Sequence, residues 1–190
     1  MERYLGTISR GWHADPNGNR LPFQIVEFIA GPEAEVRSLA TLGLSAGSLR
    51  VGDSNSHVCH EFVMLYRADE GPANLPAVLQ QVAMECYTAG RTYLRGEVIG
   101  PRGTLVDGFN FNALYVAQPV YFPDGFAVYR PADVGDQQQR APSVTFVWLF
   151  PVTARETEMI ANFGWEFFER KLERLNPDLT SRTRETVQVD

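Results

Sequence analysis

The sequence predicts an α+β fold, with a mixed, largely antiparallel sheet packed with two main helices. Apolar segments of strand length occur in groups rather than in strict alternation with helices, and two longer segments carry apolar residues at helical spacing. The 190 residues, 44% of them hydrophobic, suit one well-buried core. We therefore expect a single domain over residues 1–179, followed by a polar C-terminal tail, residues 180–190, that frays.

The predicted strands are rich in β-branched and aromatic residues, and turn residues bound several of them. In chain order they cover residues 23–30, 36–42, 58–67, 92–99, 113–117 and 144–150. In the third of these, Phe62 and Met64 alternate with Val63 and Leu65, so both faces of the strand are apolar. We therefore expect this strand to lie centrally in the sheet.

Two helices are predicted from the spacing of their apolar residues. The first begins after Asn74, which we expect to cap it, and ends near Gly90. The second is a long helix that begins at Thr153, whose spacing to Glu156 is that of a capping box. The apolar stripe predicted to pack this second helix on the sheet consists of Ile160, Phe163, Phe167, Phe168, Leu172 and Leu175.

Charge and hydropathy exclude several classes of function. Seventeen basic against twenty-three acidic residues give a net charge of −6, which argues against nucleic-acid binding. No apolar run approaches the length of a membrane span, and residues 1–6 contain no signal-peptide core. Cys59 and Cys86 are predicted to be buried thiols, as suits a reducing compartment. We therefore expect a cytoplasmic protein that does not associate with membranes.

One short motif offers an enzymatic alternative. Residues 43–47 read Gly-Leu-Ser-Ala-Gly, which matches the G-x-S-x-G turn of serine hydrolases and would make Ser45 the nucleophile, with His57 or His60 as base. A strand precedes this motif, but the polar residues after it carry no helical stripe, whereas a nucleophile turn leads into a helix. We therefore expect a structural turn and no catalytic residues.

The sequence offers a second chemical possibility, a metal site. His57, Cys59 and His60 are the densest set of soft ligands in the chain. In a strand His57 and Cys59 share a face while His60 points to the other, so the three do not converge. The sequence therefore predicts neither a metal nor a cofactor.

The order of several short segments resembles the Suppressor of fused family, in its bacterial single-domain type. These segments are Leu-Gly-Leu-Ser at 42–45, the strand at 61–65, Leu-Pro-Ala at 75–77, and Val-Thr-Phe at 144–146 ahead of the capping box. The resemblance extends from about residue 38 to about residue 175. It implies an α+β fold without a known catalytic centre. Animal members bind transcription factors through an extended peptide, and bacterial members are often linked to toxin immunity.

The resemblance also suggests two partner-binding residues. Glu97, in the pattern Thr-Tyr-x-x-Gly-Glu, looks like the family's acidic residue that contacts the partner peptide, and Tyr87 lies near the family's contacting tyrosine. Tyr87 has an alternative interpretation as a core aromatic of the first helix. Animal members have Trp-Pro-Ala where this chain has Leu-Pro-Ala, and they carry a second domain that 190 residues do not accommodate.

These observations predict a non-enzymatic, cytoplasmic protein-binding module. The specific hypothesis is an immunity protein that neutralises a basic toxin domain, because an acidic protein and a basic partner associate faster and more selectively. The alternative is capture of an extended peptide by strand addition, with Glu97 supplying a polar contact. The sequence identifies neither the partner nor an oligomeric state.

Overall fold

The computed structural model describes residues 1–31, 33–106, 108–130 and 142–188. Its helices are α1 (Glu2–Leu5), α2 (Leu75–Ala89), α3 (Ala154–Phe163) and α4 (Trp165–Leu175). Its strands are β1 (Thr7–Ala14), β2 (Arg20–Ile29), β3 (Val36–Leu42), β4 (Leu49–Val51), β5 (His57–Arg67), β6 (Arg91–Thr92), β7 (Val98–Ile99), β8 (Phe111–Ala117), β9 (Val128–Tyr129) and β10 (Val144–Thr153).

The sheet is mixed and mostly antiparallel, which confirms the predicted α+β class. Its main order is β1-β2-β3-β5-β10-β8-β7, so β5 lies in the middle as expected. β5 and β10 run parallel, and the other neighbours along this order are antiparallel. Parallel neighbours need a crossover connection, and here α2 belongs to it.

Both faces of the sheet are covered, and each carries its own hydrophobic cluster. Phe62 and Met64 of β5 pack in the cluster that includes α2, whereas Val63 and Leu65 pack in the cluster that includes α3 and α4. The alternation of β5 therefore distributes its side chains as the sequence predicts. Cys59 and Cys86 are free, buried thiols, also as expected.

The first predicted helix is found, but its cap differs. α2 ends at Gly90, which adopts a left-handed conformation with φ of +61°. Asn74 occupies the N-cap position without a capping side-chain bond. Its Nδ2 instead donates to the Leu105 carbonyl oxygen at 2.8 Å, so this amide joins the helix start to a neighbouring loop.

The prediction of one long helix from Thr153 is wrong. The capping box of Thr153 and Glu156 is present, but Gly164, with φ of +83°, separates α3 from α4. Phe163 and Phe167 still pack against each other across this glycine, with ring centroids 5.1 Å apart, but the predicted stripe is not buried along its whole length. Phe168 is fully buried, whereas Phe163 is 54% exposed and Leu175 is 50% exposed.

The expected fraying after residue 179 is also wrong for the residues that the structure describes. Arg182 forms an ion pair with Glu70, and Arg184 forms one with the fully buried Glu156, with Nη1 to Oε1 at 2.6 Å. Val187 is buried and donates its N–H to the same Glu156 carboxylate at 2.9 Å. The buried Glu156 and the partly buried Glu70 thus hold this polar segment, which apolar spacing does not reveal. The domain boundary at residue 179 stays a prediction.

Along the described ranges, no helix combines the length and apolar character needed to cross a membrane.

Candidate partner-binding site

β7 forms one edge of the sheet. It pairs with β8 on one side, Val98 opposite Tyr115, and no described strand lies on its other side. Pairing with β8 begins before the strand itself, because the Gly96 N–H donates to the Val116 carbonyl at 2.8 Å. A strand edge of this kind presents backbone N–H and C=O groups to a further strand.

Glu97 lies directly before this edge and closes a turn. Its Oε2 accepts from the Leu94 N–H at 2.6 Å, while its own N–H donates to the Leu94 carbonyl at 3.1 Å. The carboxylate is partly exposed and forms no ion pair with any residue that the structure describes. Glu97 therefore has a turn-stabilising role and still carries a charge that no described cation compensates.

A close contact between helix α4 and the turn fixes the position of Glu97. Gly96 has φ of +91°, and an added Cβ would lie 2.5 Å from Cγ of Trp165. The Arg95 guanidinium lies over the same indole, 5.0 Å from the Trp165 ring centroid, and forms an ion pair with Glu169. Only glycine combines this backbone conformation with so close an approach.

Tyr87 lies in the last turn of α2 and is 49% exposed. Its ring packs edge to face on the Phe23 ring, with 6.5 Å between the ring centroids, and the remainder of the Tyr87 side chain is exposed to solvent. The interpretation of Tyr87 as a core aromatic is therefore wrong, because about half of the residue stays exposed. Burial raises the pKa of the neighbouring Cys86 thiol to about 12, with further contributions from Glu85 and Glu97. Phe23 belongs to β2, which lies towards the opposite end of the sheet order from β7, so the structure does not bring Tyr87 and Glu97 together.

Sequence reasoning missed a polar cluster next to these residues. Arg102 binds Glu85 through two hydrogen bonds, one of them from Nη1 to Oε1 at 2.6 Å, and this guanidinium lowers the pKa of the Glu85 carboxyl. Arg102 also interacts with the phenol of Tyr93, whose pKa is raised chiefly by burial. Glu85 and Arg102 lie 17 positions apart, so no local sequence pattern marks this cluster.

The possible nucleophile Ser45 lies in a different place and contacts a carboxylate. It belongs to a single 3₁₀ turn, Leu44–Ala46, and its Oγ donates to Glu61 Oε1 at 2.6 Å. Glu61 is buried and also accepts from Thr41 Oγ1 at 2.5 Å and from the Gly43 N–H at 2.9 Å. Ser45 therefore helps to hold a buried carboxylate at the end of β3, and no histidine hydrogen-bonds to its Oγ.

The three candidate metal ligands do not converge. His57 is exposed, and Cys59 is buried. His60 is buried on the opposite face from Cys59, with Nδ1 2.6 Å from Thr92 Oγ1. Within the described ranges, no three histidine, cysteine or acidic side chains form a group that could hold a metal ion.

The residues brought together around β7 suit recognition better than chemistry. They comprise an open strand edge, the Glu97 carboxylate and Leu94, which is 42% exposed. An open edge can pair with an extended peptide, and the side chains beside it can distinguish one peptide from another.

Solved structures share this architecture along the whole chain. A structure described as a suppressor of fused homologue from Neisseria gonorrhoeae superposes with a TM-score of 0.72 at 17% identity, covering 100% of this chain and 93% of the other. A structure of the Sufu–Fu complex gives a TM-score of 0.68 at 15% identity, with the same coverages. Drosophila Suppressor of Fused gives 0.57 at 16% identity, covering 87% of this chain and 43% of that one.

Comparison with curated proteins found no significant match. The family model described as Suppressor of fused protein (SUFU) matches residues 19–185 and confirms the resemblance inferred from the sequence, so this chain belongs to the Suppressor of fused family.

Proposed function

We propose that this chain is a non-enzymatic module that binds a partner protein by adding an extended segment of it to the β7 edge. The observation that carries the proposal is the position of Glu97, an uncompensated carboxylate directly before an open strand edge. Backbone pairing supplies affinity in this mode of binding, and the side chains beside the strand supply specificity.

The side chains at the edge define the peptide that fits. Glu97 favours a basic residue in the bound segment, because an ionised carboxylate and a cation form a charge-assisted hydrogen bond. Tyr87 packs on Phe23 of β2, towards the other end of the sheet, so it is not part of this edge. Glu85 is already paired with Arg102, so Glu97 is the carboxylate of this site that remains available to the partner.

A family relationship supports binding of a protein rather than a small substrate. One of the structures similar to this chain is a complex of Sufu with Fu. We extend from it only the general mode of action, recognition of another protein, because 15% identity does not carry over a partner.

The specific role that we propose is immunity, in the cytoplasm, against a basic toxin domain. Its support is the net charge of −6, which accelerates association with a basic protein. Co-expression of the chain with a basic toxin from the same host should restore growth if the proposal is correct. Failure to protect against any such toxin, with the partner-binding results below intact, would overturn the immunity role alone.

Binding at the edge is tested with two substitutions at Glu97. Glu97→Gln keeps an oxygen that accepts from the Leu94 N–H but removes the charge, whereas Glu97→Ala removes both. We expect Glu97→Gln to weaken the complex about tenfold through loss of the charge-assisted contact. The measurement is the dissociation constant of the partner recovered from the native host, and of a synthetic peptide copied from its bound segment.

Glu158→Gln, on the exposed surface of α3, is the matched control and should leave the affinity unchanged. If Glu97→Gln and Glu158→Gln weakened partner binding equally, the effect would come from the net charge of the protein and not from a specific contact of Glu97. A partner that binds both Glu97 variants as tightly as the original protein would place binding elsewhere.

The enzymatic alternative is tested separately with a fluorophosphonate probe. Ser45 Oγ donates to the Glu61 carboxylate, which also accepts hydrogen bonds from three further groups, so the hydroxyl has a structural role. We therefore expect the probe not to label Ser45. Labelling that disappears in Ser45→Ala would establish a serine hydrolase instead.

A further inference from the structure

A cavity of about 540 Å³ opens at the end of the sheet where β10 begins. Its lining comes mainly from α1, the end of β3, β9 and the first residues of β10. Small-molecule sites in proteins typically have volumes of roughly 300–1,000 Å³, so the size suits a small ligand. The cavity is separate from the β7 edge, because different elements form it.

Apolar side chains of the lining are accessible to a ligand. Tyr129 is 56% exposed, Leu42 is 42% exposed and Val128 is 37% exposed. Phe126 and Phe146, also in the lining, are nearly buried and stack on each other with ring centroids 4.6 Å apart. The apolar surface open to a ligand therefore comes chiefly from Tyr129, Leu42 and Val128.

Two arginines in the lining give the cavity a positive charge. Arg3 and Arg130 are both exposed, and neither forms an ion pair with any residue that the structure describes. Several other arginines of the chain are paired with carboxylates. A guanidinium group matches the oxygens of a carboxylate or a phosphate, so the two unpaired cations favour an anionic ligand.

The carboxylate of Glu61 also belongs to the lining, but the protein already satisfies it. It accepts hydrogen bonds from the hydroxyl groups of Thr41 and Ser45 and from the N–H groups of Gly43 and Ser45. Glu61 is only 3% exposed, whereas both arginines are exposed. A ligand therefore meets the two positive charges at the accessible surface, and Glu61 does not require a cation.

We propose that this cavity binds an aromatic organic anion. Its carboxylate or phosphate group is held by Arg3 and Arg130, and its ring packs against Tyr129 and Leu42. The half-exposed Tyr129 ring favours an aromatic body, because aromatic pairs gain about 0.5–1.5 kcal/mol beyond the burial of their surface. The proposal does not depend on partner binding at the β7 edge, so each can be tested without the other.

The probes share one body and differ in charge. 2-Naphthoate and 2-naphthyl phosphate carry the two acidic groups, and 2-naphthamide is the uncharged analogue. Calorimetry at low salt should show at least one of the acids binding about tenfold more tightly than the amide, the gain of a charge-assisted hydrogen bond. This preference should decrease at high salt, because the arginines are exposed and salt screens them.

A saturated analogue tests the aromatic body. Decahydro-2-naphthoate has the charge of 2-naphthoate and a similar size, but it has no ring to pair with Tyr129. It should bind about threefold more weakly than 2-naphthoate.

Substitutions at exposed positions locate the probes. Arg3→Gln and Arg130→Gln should each reduce the preference for the acid over the amide at least about threefold, and the double variant should abolish it. Leu42→Ala removes an apolar contact only and should weaken the acid and the amide alike. Arg155→Gln, at an exposed position beyond the other end of β10, is the matched control and should leave the preference unchanged.

The measured preferences decide the proposal. Tighter binding of either acid, lost in the double variant, supports it, and the acid that binds more tightly identifies the group that the arginines recognise. It is overturned if neither acid binds the original protein more tightly than the amide. A preference that persists in the double variant, or that Arg155→Gln reduces equally, would also overturn it. Equal affinities for 2-naphthoate and its saturated analogue would overturn the aromatic requirement.

Discussion

The His60 imidazole is buried beside Thr92, and burial lowers its pKa to about 4 from the usual 6.5. The unfolded chain binds a proton near pH 6.5, whereas the folded chain resists it until about pH 4. The stability associated with the neutral ring is therefore complete above pH 6.5 and is lost as the pH falls towards 4. The shift corresponds to at most about 3 kcal/mol.

His60→Gln removes this titration and should flatten the dependence of the free energy of unfolding on pH between 6.5 and 4. Urea denaturation at several pH values measures it. His57→Gln, at an exposed position of the same strand, is the control and should leave the dependence intact. Equal slopes for the original protein and His60→Gln would show that His60 does not limit acid stability.

Alanine substitutions at Gly96 and Gly90 distinguish the cost of backbone strain from the cost of a steric clash with a side chain. Both have positive φ, but an added Cβ meets Trp165 only at Gly96 and open space at Gly90. Gly90→Ala should cost about 1–2 kcal/mol for its left-handed conformation. Gly96→Ala should cost roughly 1–3 kcal/mol more, because the indole must move. Chemical denaturation of the two variants checks the difference, and similar losses would mean that the indole adjusts freely.

At the level of elements, the break between α3 and α4 decides which aromatic residues stabilise the domain. Phe168 is fully buried against Tyr115, with ring centroids 5.1 Å apart, whereas Phe163 is 54% exposed. Phe168→Ala should therefore reduce the free energy of unfolding by about 3–5 kcal/mol. Phe163→Ala should reduce it by less than about 1 kcal/mol.

Thermal and urea unfolding of these two phenylalanine variants measure the contrast. Comparable losses would indicate one continuous helix in solution, packed through the stripe that periodicity predicts. A loss confined to Phe168→Ala would support the two-helix arrangement.

In the whole molecule, the segment after residue 179 contacts the preceding residues through a buried ion pair and a buried valine. Removing residues 180–190 leaves Glu156 buried without Arg184 and exposes the site of Val187. Arg184→Ala alone should cost about 3–5 kcal/mol, the usual penalty for an unpaired buried charge, and the truncated chain at least as much. The free energy of unfolding in urea is the measurement.

Arg155→Ala removes an exposed arginine from α3 and serves as the control. We expect its effect to be below about 0.5 kcal/mol. A truncated chain as stable as the original would instead support the predicted boundary at residue 179.

Features that depend on residues close together in the chain could be predicted from the sequence. Alternation along 58–67 predicted a strand buried on both faces, and helical spacing followed by Gly90 predicted the bounds of α2. The capping box of Thr153 and Glu156 was predictable because it needs only two residues three positions apart. Local patterns determine local geometry, and the family resemblance supplied the order of the elements.

Features that join distant parts of the chain became visible only in the folded molecule. β1 was not predicted, because its residues are largely exposed and it is placed by pairing with β2. Arg102 pairs with Glu85 and Arg184 with Glu156, and no local pattern marks either pair. The sequence suggested Glu97 and Tyr87 by resemblance, but only the assembled sheet puts Glu97 directly before an edge strand and Tyr87 against Phe23 of β2. Edges, cavities and buried ion pairs arise when separate elements meet, so a pattern within one element does not contain them.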